Sequence, residues 1–234
     1  ADFNFKECYA DPLFTYFADA ENRRNCTTDS LKQKKGSLIA RELMAVLRNH
    51  RTPKRGAYTP GHGLSGVDVC MHACEGPIRS SQTAGSMVSE LNAKGNLHWL
   101  TGTAAPCTST FKPVWIDAGI PEIVKSPTKD YDNSVMYWRH EVLHRQVIRD
   151  YSHRIQVISS ERDELEAEFI STAHTLSSAT KVQRSEFSRT CFEKVDQHEA
   201  IWLERVKKIP IQARNSFYYD RAWKRYNRAV GMPE

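Results

Sequence analysis

From residue 134 to about residue 206 the chain carries no Gly or Pro, and Leu143, Val147, Tyr151, Ile155, Ile158, Leu165 and Phe169 recur mostly three, four or seven residues apart. That period gathers apolar side chains onto one helix face, so this stretch is committed to long amphipathic helices. A second helix is expected from near Val182 to Lys208, with Pro210 ending it, and "ARNSFYYDRAWKRYNRAV" reads as a closing basic, aromatic-rich helix. Near the other end, Asp11-Pro12 followed by Leu13, Phe14 and Phe17 predicts a short helix over 11–25. Leu38, Ile39, Leu43, Val46 and Leu47 predict another within "SLIARELMAVLRNH".

The middle of the chain has a different texture. In "VDVCMHA" the residues alternate, with Val67, Val69, Met71 and Ala73 on one face and Asp68, Cys70, His72 and Cys74 on the other, which predicts a strand. "SQTAGSMVSELN", "NLHWLTG" and "TSTFKPVWI" follow at short intervals with Gly and Pro between them, so residues 66–117 read as an antiparallel meander. The polar hinge "SPTKDYD" separates this region from the helices. The expected organisation is therefore α+β, with a sheet-containing core over 1–130 and a helical region over 131–234.

Composition excludes several classes. No apolar run approaches the ~20 residues needed to span a bilayer, and the first residues lack the basic start and apolar core of a signal peptide. A soluble protein with no membrane partner is expected, its compartment left open. The net charge of +5 is spread along the chain rather than concentrated in a polyanion-binding run. The tail "RAWKRYNR" interleaves Trp223 and Tyr226 with basic residues as a nucleic-acid platform does, but a helix packing its aromatics inward explains it as well, and no nucleic-acid partner is assigned. The six cysteines show no C-x-x-C spacing and read as reduced. Cys107 in particular has no base fixed beside it in sequence and reads as a buried small thiol. Asn25-Cys26-Thr27 spells a glycosylation acceptor, which settles nothing about compartment.

Residues 137–147, "YWRHEVLHRQV", contain His140-Glu141-Val142-Leu143-His144, the H-E-x-x-H spelling of zinc peptidases. Histidines four apart share a helix face, so two imidazoles can hold one ion while the glutamate activates bound water. The flanks point elsewhere. Arg139 precedes His140, and Arg145 and Gln146 follow His144, which predicts a solvent-facing helix. Glu161, Glu164, Glu166 and Glu168 lie downstream on the same continuous helix, which carries them away at ~1.5 Å per residue. The expectation is a surface helix with Glu141 paired to Arg145 four residues on, and neither a metal nor a cofactor is assigned.

The ordered set "CMHA", "RSSQTAGSMVSEL", "WLTGTAAPCTSTFKPVW" and "YWRHEVLHR" resembles the secernin and dipeptidase A family of cysteine N-terminal-nucleophile (Ntn) hydrolases. The resemblance covers roughly residues 60–150 and extends weakly to both ends. It implies an αββα sandwich with antiparallel sheets, of which this chain supplies part, and an N-terminal cysteine whose own α-amino group is the general base for attack on an amide. Ala1 carries no nucleophile and the amine of Cys8 is a peptide nitrogen. No catalytic residue is therefore assigned on this chain. The expected partner is an N-terminal fragment or chain bearing the nucleophile, as autoprocessing into a heterodimer produces, with a peptide or amide as substrate. Val67, Val69 and Met71 are expected to be buried against that partner.

The substrate-facing groups expected on this reading are Arg79, as a carboxylate clamp, and Ser80, Ser81, Gln82 and Thr83, as donors to a carbonyl or oxyanion. His72 and Thr103 are expected to line the same pocket. Two alternatives remain: a catalytically silent relative that acts as an interaction scaffold through its long helices, and a zinc metallopeptidase using His140-Glu141-x-x-His144.

Overall fold

A computed structural model of the chain describes residues 3–50, 58–60, 68–74, 79–92, 95–212 and 215–233. Four helices open it: α1 (Phe5–Tyr9), α2 (Pro12–Ala18), α3 (Ala20–Gln33) and α4 (Ala40–Leu47). A three-stranded sheet follows, made of β1 (Met87–Glu90), β2 (Leu97–Leu100) and β3 (Lys112–Val114). The rest is helical: α5 (Met136–Ile148), α6 (Tyr151–Arg154), α7 (Gln156–Thr175), α8 (Lys181–Lys208) and α9 (Phe217–Ala229). The fold is thus mixed, with a small antiparallel sheet and a long helical C-terminal region. Among the described residues no helix is long and apolar enough to cross a membrane.

The helix predictions hold where periodicity was strongest. α8 begins at a capping box, in which the Thr180 side chain accepts from the Gln183 N–H and the Gln183 side chain accepts from the Thr180 N–H. It ends at Lys208, just before Pro210. The helix expected over 11–25 is divided at Asp19, whose φ of 48° places it in the left-handed region that Asp tolerates better than most residues. The continuous helix expected after residue 134 is also broken, at Asp150. There the chain turns out of the helical conformation (φ −150°, ψ 71°), and the fully buried carboxylate accepts from His153 Nδ1 and the Gln212 N–H, both at 2.8 Å. The break lets α7 fold away from α5, so that α8 packs against α5, α7 and β3.

The meander is present in the order β1-β2-β3, with Val88 opposite Trp99 and Trp99 opposite Pro113. The strand expected over 67–73 is absent from its described part: residues 68–74 are irregular. Their backbone groups are satisfied without a ladder. Cys70 N–H donates to Asn49 O at 3.1 Å, Met71 N–H to Thr83 Oγ1 at 3.1 Å, and Cys74 N–H to Arg79 O at 2.7 Å. The alternation survives over 68–72, where Asp68, Cys70 and His72 are buried and Val69 and Met71 half-buried, and ends at Ala73, which is buried together with Cys74. Val67 lies outside the described residues.

One buried ion pair ties these parts together. Arg48, just past α4, donates from Nη2 to Glu166 Oε1 at 2.5 Å and from Nη1 to Oε2 at 2.9 Å. The same guanidinium donates to Pro106 O and Ser109 O, and Glu166 Oε1 also accepts the Phe111 N–H at 2.7 Å. Glu166 is 2% exposed, so removing it strands a charged arginine in the core. Glu166→Ala is expected to destabilise the protein by about 3–5 kcal/mol in urea unfolding. Glu168→Ala, on the solvent side of the same helix, should change stability by no more than about 0.5 kcal/mol.

Candidate thiol and imidazole site

Cys107 lies in the connection between β2 and β3, in a tight turn where the N–H groups of Thr108 and Ser109 both donate to Ala105 O, at 3.1 and 3.2 Å. Lys112 closes this connection at its base. Its buried ammonium donates to Thr101 O and Thr110 O, both at 2.8 Å, and burial brings its pKa down to about 8. Arg48 holds the carbonyls of Pro106 and Ser109, and Arg162 donates to that of Cys107. The thiol is therefore fixed from behind by two arginines on its own backbone.

Facing it are residues from two other segments. His72 Nε2 lies 3.4 Å from Cys107 Sγ, 3.7 Å from Cys70 Sγ and 3.1 Å from His50 Nε2. The rings are held by stacking. His50 lies flat on Tyr58, with centroids 4.4 Å apart and planes 6° apart, and His72 lies on His144 at 5.3 Å and 8°. Tyr151 meets His50 edge-on at 5.1 Å. Tyr58 in turn donates to Asp68 Oδ2 at 3.1 Å.

Burial alone pushes the Cys107 thiol up, but the hydrogen bond from Cys70 and the neighbouring His72 and His50 outweigh it, and the thiol sits well below its ordinary range. Cys70 is pushed up by burial and by the adjacent Cys107. Of the two sulfurs, Cys107 is the one that ionises. Burial raises Tyr58 and Tyr151 as well, so both remain phenols. Reading the chain linearly missed this arrangement because the base beside Cys107 comes from residue 72. The detectable signal was only that His72 and Cys70 share one face of "VDVCMHA".

The other residues expected in a pocket are distributed unevenly. Arg79 is buried, its Nη2 donating to Pro60 O at 2.9 Å and more distantly to His72 O at 3.5 Å. Gln82 Nε2 donates to Glu141 Oε1 at 3.2 Å, and Thr83 is tied to Met71. Ser80 and Ser81 are exposed. Thr103 is buried in the Cys107 connection, its hydroxyl 2.9 Å from Ser109 Oγ. The fold thus brings His72 to the thiols and places Thr103 in the same connection, leaving the two serines at the surface. A cavity of about 260 Å³ adjoins the cluster on the His50 side, bordered by Asn22, Arg23, Cys26, Asn49, Asp68 and Val69.

The H-E-x-x-H helix does not face solvent: His140 and His144 are fully buried and Glu141 is 1% exposed. The expected pair is present, with Arg145 Nε 2.9 Å from Glu141 Oε2. The carboxylate that meets this helix is not one of Glu161, Glu164, Glu166 and Glu168 but one on the following helix. Glu199 of α8 reaches His140 Nδ1 at 2.8 Å, while His140 Nε2 meets Ala104 O at 2.8 Å. His140 Nδ1 thus faces a carboxylate, while Nε2 faces the Ala104 carbonyl and, at 3.1 Å, the Ser109 hydroxyl, so both ring nitrogens are engaged within the core. Burial opposes charge on the ring, Glu199 more than compensates, and the His140 pKa is raised. His144 is pushed the other way, by burial and by His72, and accepts or shares the Thr108 hydroxyl at 2.9 Å.

Compared with known proteins, the chain is matched by no family model, no curated protein and no solved structure.

The His140–Glu199 pair carries a pH dependence. A histidine whose pKa is raised by folding contributes stability that is complete below its unfolded value, near 6.5, and that disappears as pH rises through the folded value. Urea midpoints measured from pH 6 to pH 9 should fall through that window in the native sequence. In His140→Gln this component of the slope should be absent.

Proposed function

We propose that this chain supplies the substrate-facing part of a secernin-like, dipeptidase-type amide hydrolase, with the attacking N-terminal cysteine on a preceding polypeptide. The observation that carries the reading is local. The segment bearing the family-like motifs folds as an antiparallel meander whose buried β2–β3 connection meets His72 at Cys107, while Gln82 bonds Glu141 of α5 and Thr83 bonds the Met71 backbone. On this reading the three strands belong to one sheet of an αββα sandwich, and the half-buried Val69 and Met71 meet the partner.

On this reading none of the six thiols of this chain is the nucleophile. Cys107 is poorly placed for attack on a substrate as well. It is 2% exposed and enclosed by Cys70, His72 and His50, while the adjoining cavity is bordered by His50 and not by Cys107. The buried Arg79 anchors the turn backbone, and the exposed hydroxyls of Ser80 and Ser81 are left as the groups that meet a substrate carbonyl.

The test is dipeptide hydrolysis by the native gene product, with iodoacetamide labelling read by mass spectrometry. Inactivation should track the labelling of one cysteine that has a free α-amine and lies outside residues 1–234. The Ser80→Ala, Ser81→Ala double variant should lose roughly 100-fold in kcat with unchanged thermal stability. Hydrolysis insensitive to thiol reagents, or inactivation tracking Cys107 alone, would overturn the assignment.

A further inference from the structure

Four donor atoms converge at the site: Nε2 of His50, Sγ of Cys70, Nε2 of His72 and Sγ of Cys107, all within 4.8 Å of one another. They come from three segments far apart in sequence. Among the described residues this is the one group of three or more His, Cys, Asp or Glu side chains whose ligand atoms meet in this way. We infer that the four side chains form a tetrahedral site for zinc or a similarly thiophilic divalent cation.

The distances support the inference quantitatively. With Zn–N of about 2.0–2.1 Å and Zn–S of about 2.3 Å, a tetrahedron has N···N edges of about 3.3 Å, N···S edges of about 3.6 Å and an S···S edge of about 3.8 Å. The observed N···N edge is 3.1 Å, and the two N···S edges to His72 are 3.7 and 3.4 Å. Each lies within a few tenths of an ångström of the metal-centred value. The widest edge is at most 4.8 Å, so it closes by no more than about 1 Å. Two imidazoles and two thiols whose donor atoms all lie within 4.8 Å of one another are placed to share a single ion.

The surroundings are those of a prepared ligand set. The Cys70 N–H bonds the carbonyl of Asn49, so the segments bearing His50 and Cys70 are pinned together one residue from a ligand. The His50 and His72 planes are fixed by Tyr58 and His144, and the Cys107 carbonyl is fixed by Arg162. Two thiolates with a divalent cation form a neutral unit, which removes the cost of burying charge at a place where Cys70, His72 and Cys107 are almost fully enclosed. The four ligands are all protein atoms, so the site is closed and structural rather than catalytic, and it crosslinks the end of α4, the 68–74 segment and the β2–β3 connection. The cavity beside His50 and Asp68 gives an ion a way in.

The inference does not depend on the proposed hydrolase, and its test has no activity readout. The reduced, metal-stripped chain is titrated with cobalt(II) chloride and then zinc chloride. One equivalent of cobalt should produce tetrahedral ligand-field bands and a thiolate charge-transfer band, both abolished by one equivalent of zinc. Mass spectrometry of alkylated protein should show Cys70 and Cys107 protected by zinc while Cys8 continues to react. Cys107→Ser and His50→Gln should each weaken cobalt binding by about 100-fold or more, and Cys191→Ser, a thiol on α8, should leave it unchanged. If a ligand variant does not fold, the alkylation footprint on the native sequence still decides the matter. A folded chain that gives no tetrahedral cobalt spectrum, or equal alkylation of both thiols with and without zinc, overturns the site. So does a Cys70–Cys107 disulfide whose reduced form binds no metal.

Discussion

The buried carboxylate of Glu166 is the constraint on which the rest of the structure depends. It accepts two bonds from Arg48 and one from the Phe111 N–H, so a single group on α7 fixes both the end of α4 and the exit of the β2–β3 connection. The desolvation of a lone carboxylate at 2% exposure would be prohibitive, and three strong donors offset it. The remaining Arg48 donor capacity goes to Pro106 and Ser109, which bracket Cys107. The guanidinium also lies 5.0 Å over the Phe111 ring, so the same contact contributes packing as well as charge. Position is therefore transmitted to the thiol through backbone carbonyls, not through contacts to its sulfur.

α5 plays the corresponding role on the imidazole side. Its buried face presents His140 and His144 to the β2–β3 connection, and their environments push the two pKa values in opposite directions. Burial opposes charge on His140 but Glu199 outweighs it and raises the pKa, while burial and the adjacent His72 press that of His144 well down. His144, its pKa pressed down, stacks on His72 without adding positive charge to a site that already has Arg162 nearby. Both histidines of the H-E-x-x-H spelling are thus engaged inside the core, His140 by Glu199 and the Ala104 carbonyl and His144 as the platform on which His72 stacks.

The sequence made some of this legible and not the rest, and the division follows range. Helices α7 and α8 were readable because an apolar residue every three or four positions is a local signal, and the Thr180–Gln183 box is local as well. The strands around Val88, Trp99 and Val114 were readable from short segments punctuated by Gly and Pro. The strand expected over 67–73 failed although its alternation was real. Alternation reports which side chains face inward, and an irregular segment can satisfy it when Asn49, Thr83 and Arg79 supply the hydrogen-bond partners a ladder would have given. The partners of Cys107 were invisible because His50, Cys70 and His72 approach it only after α4, the 68–74 segment and the β2–β3 connection have packed. The breaks at Asp19 and Asp150 were missed for a related reason. Each rests on what one aspartate does in the folded chain, and the flanking periodicity ran through them unchanged.

These contacts divide the cluster into a locally tied half and a half placed by distant elements. His50 and Cys70 are fixed relative to each other by one backbone hydrogen bond and belong to adjacent segments of the first half of the chain. Cys107 is placed only when Arg48, Arg162 and Glu166 have met, and that requires α7 to fold back after the break at Asp150. The four donors face one another only in the packed tertiary structure, which closes loops between three separate segments at an entropic cost. A crosslink formed among them stabilises the docked arrangement of α4, the meander and α7 as one unit. Its gain is largest where the opposing entropy was largest, at the β2–β3 connection, which bears no regular secondary structure of its own and is held by arginines from both halves of the molecule.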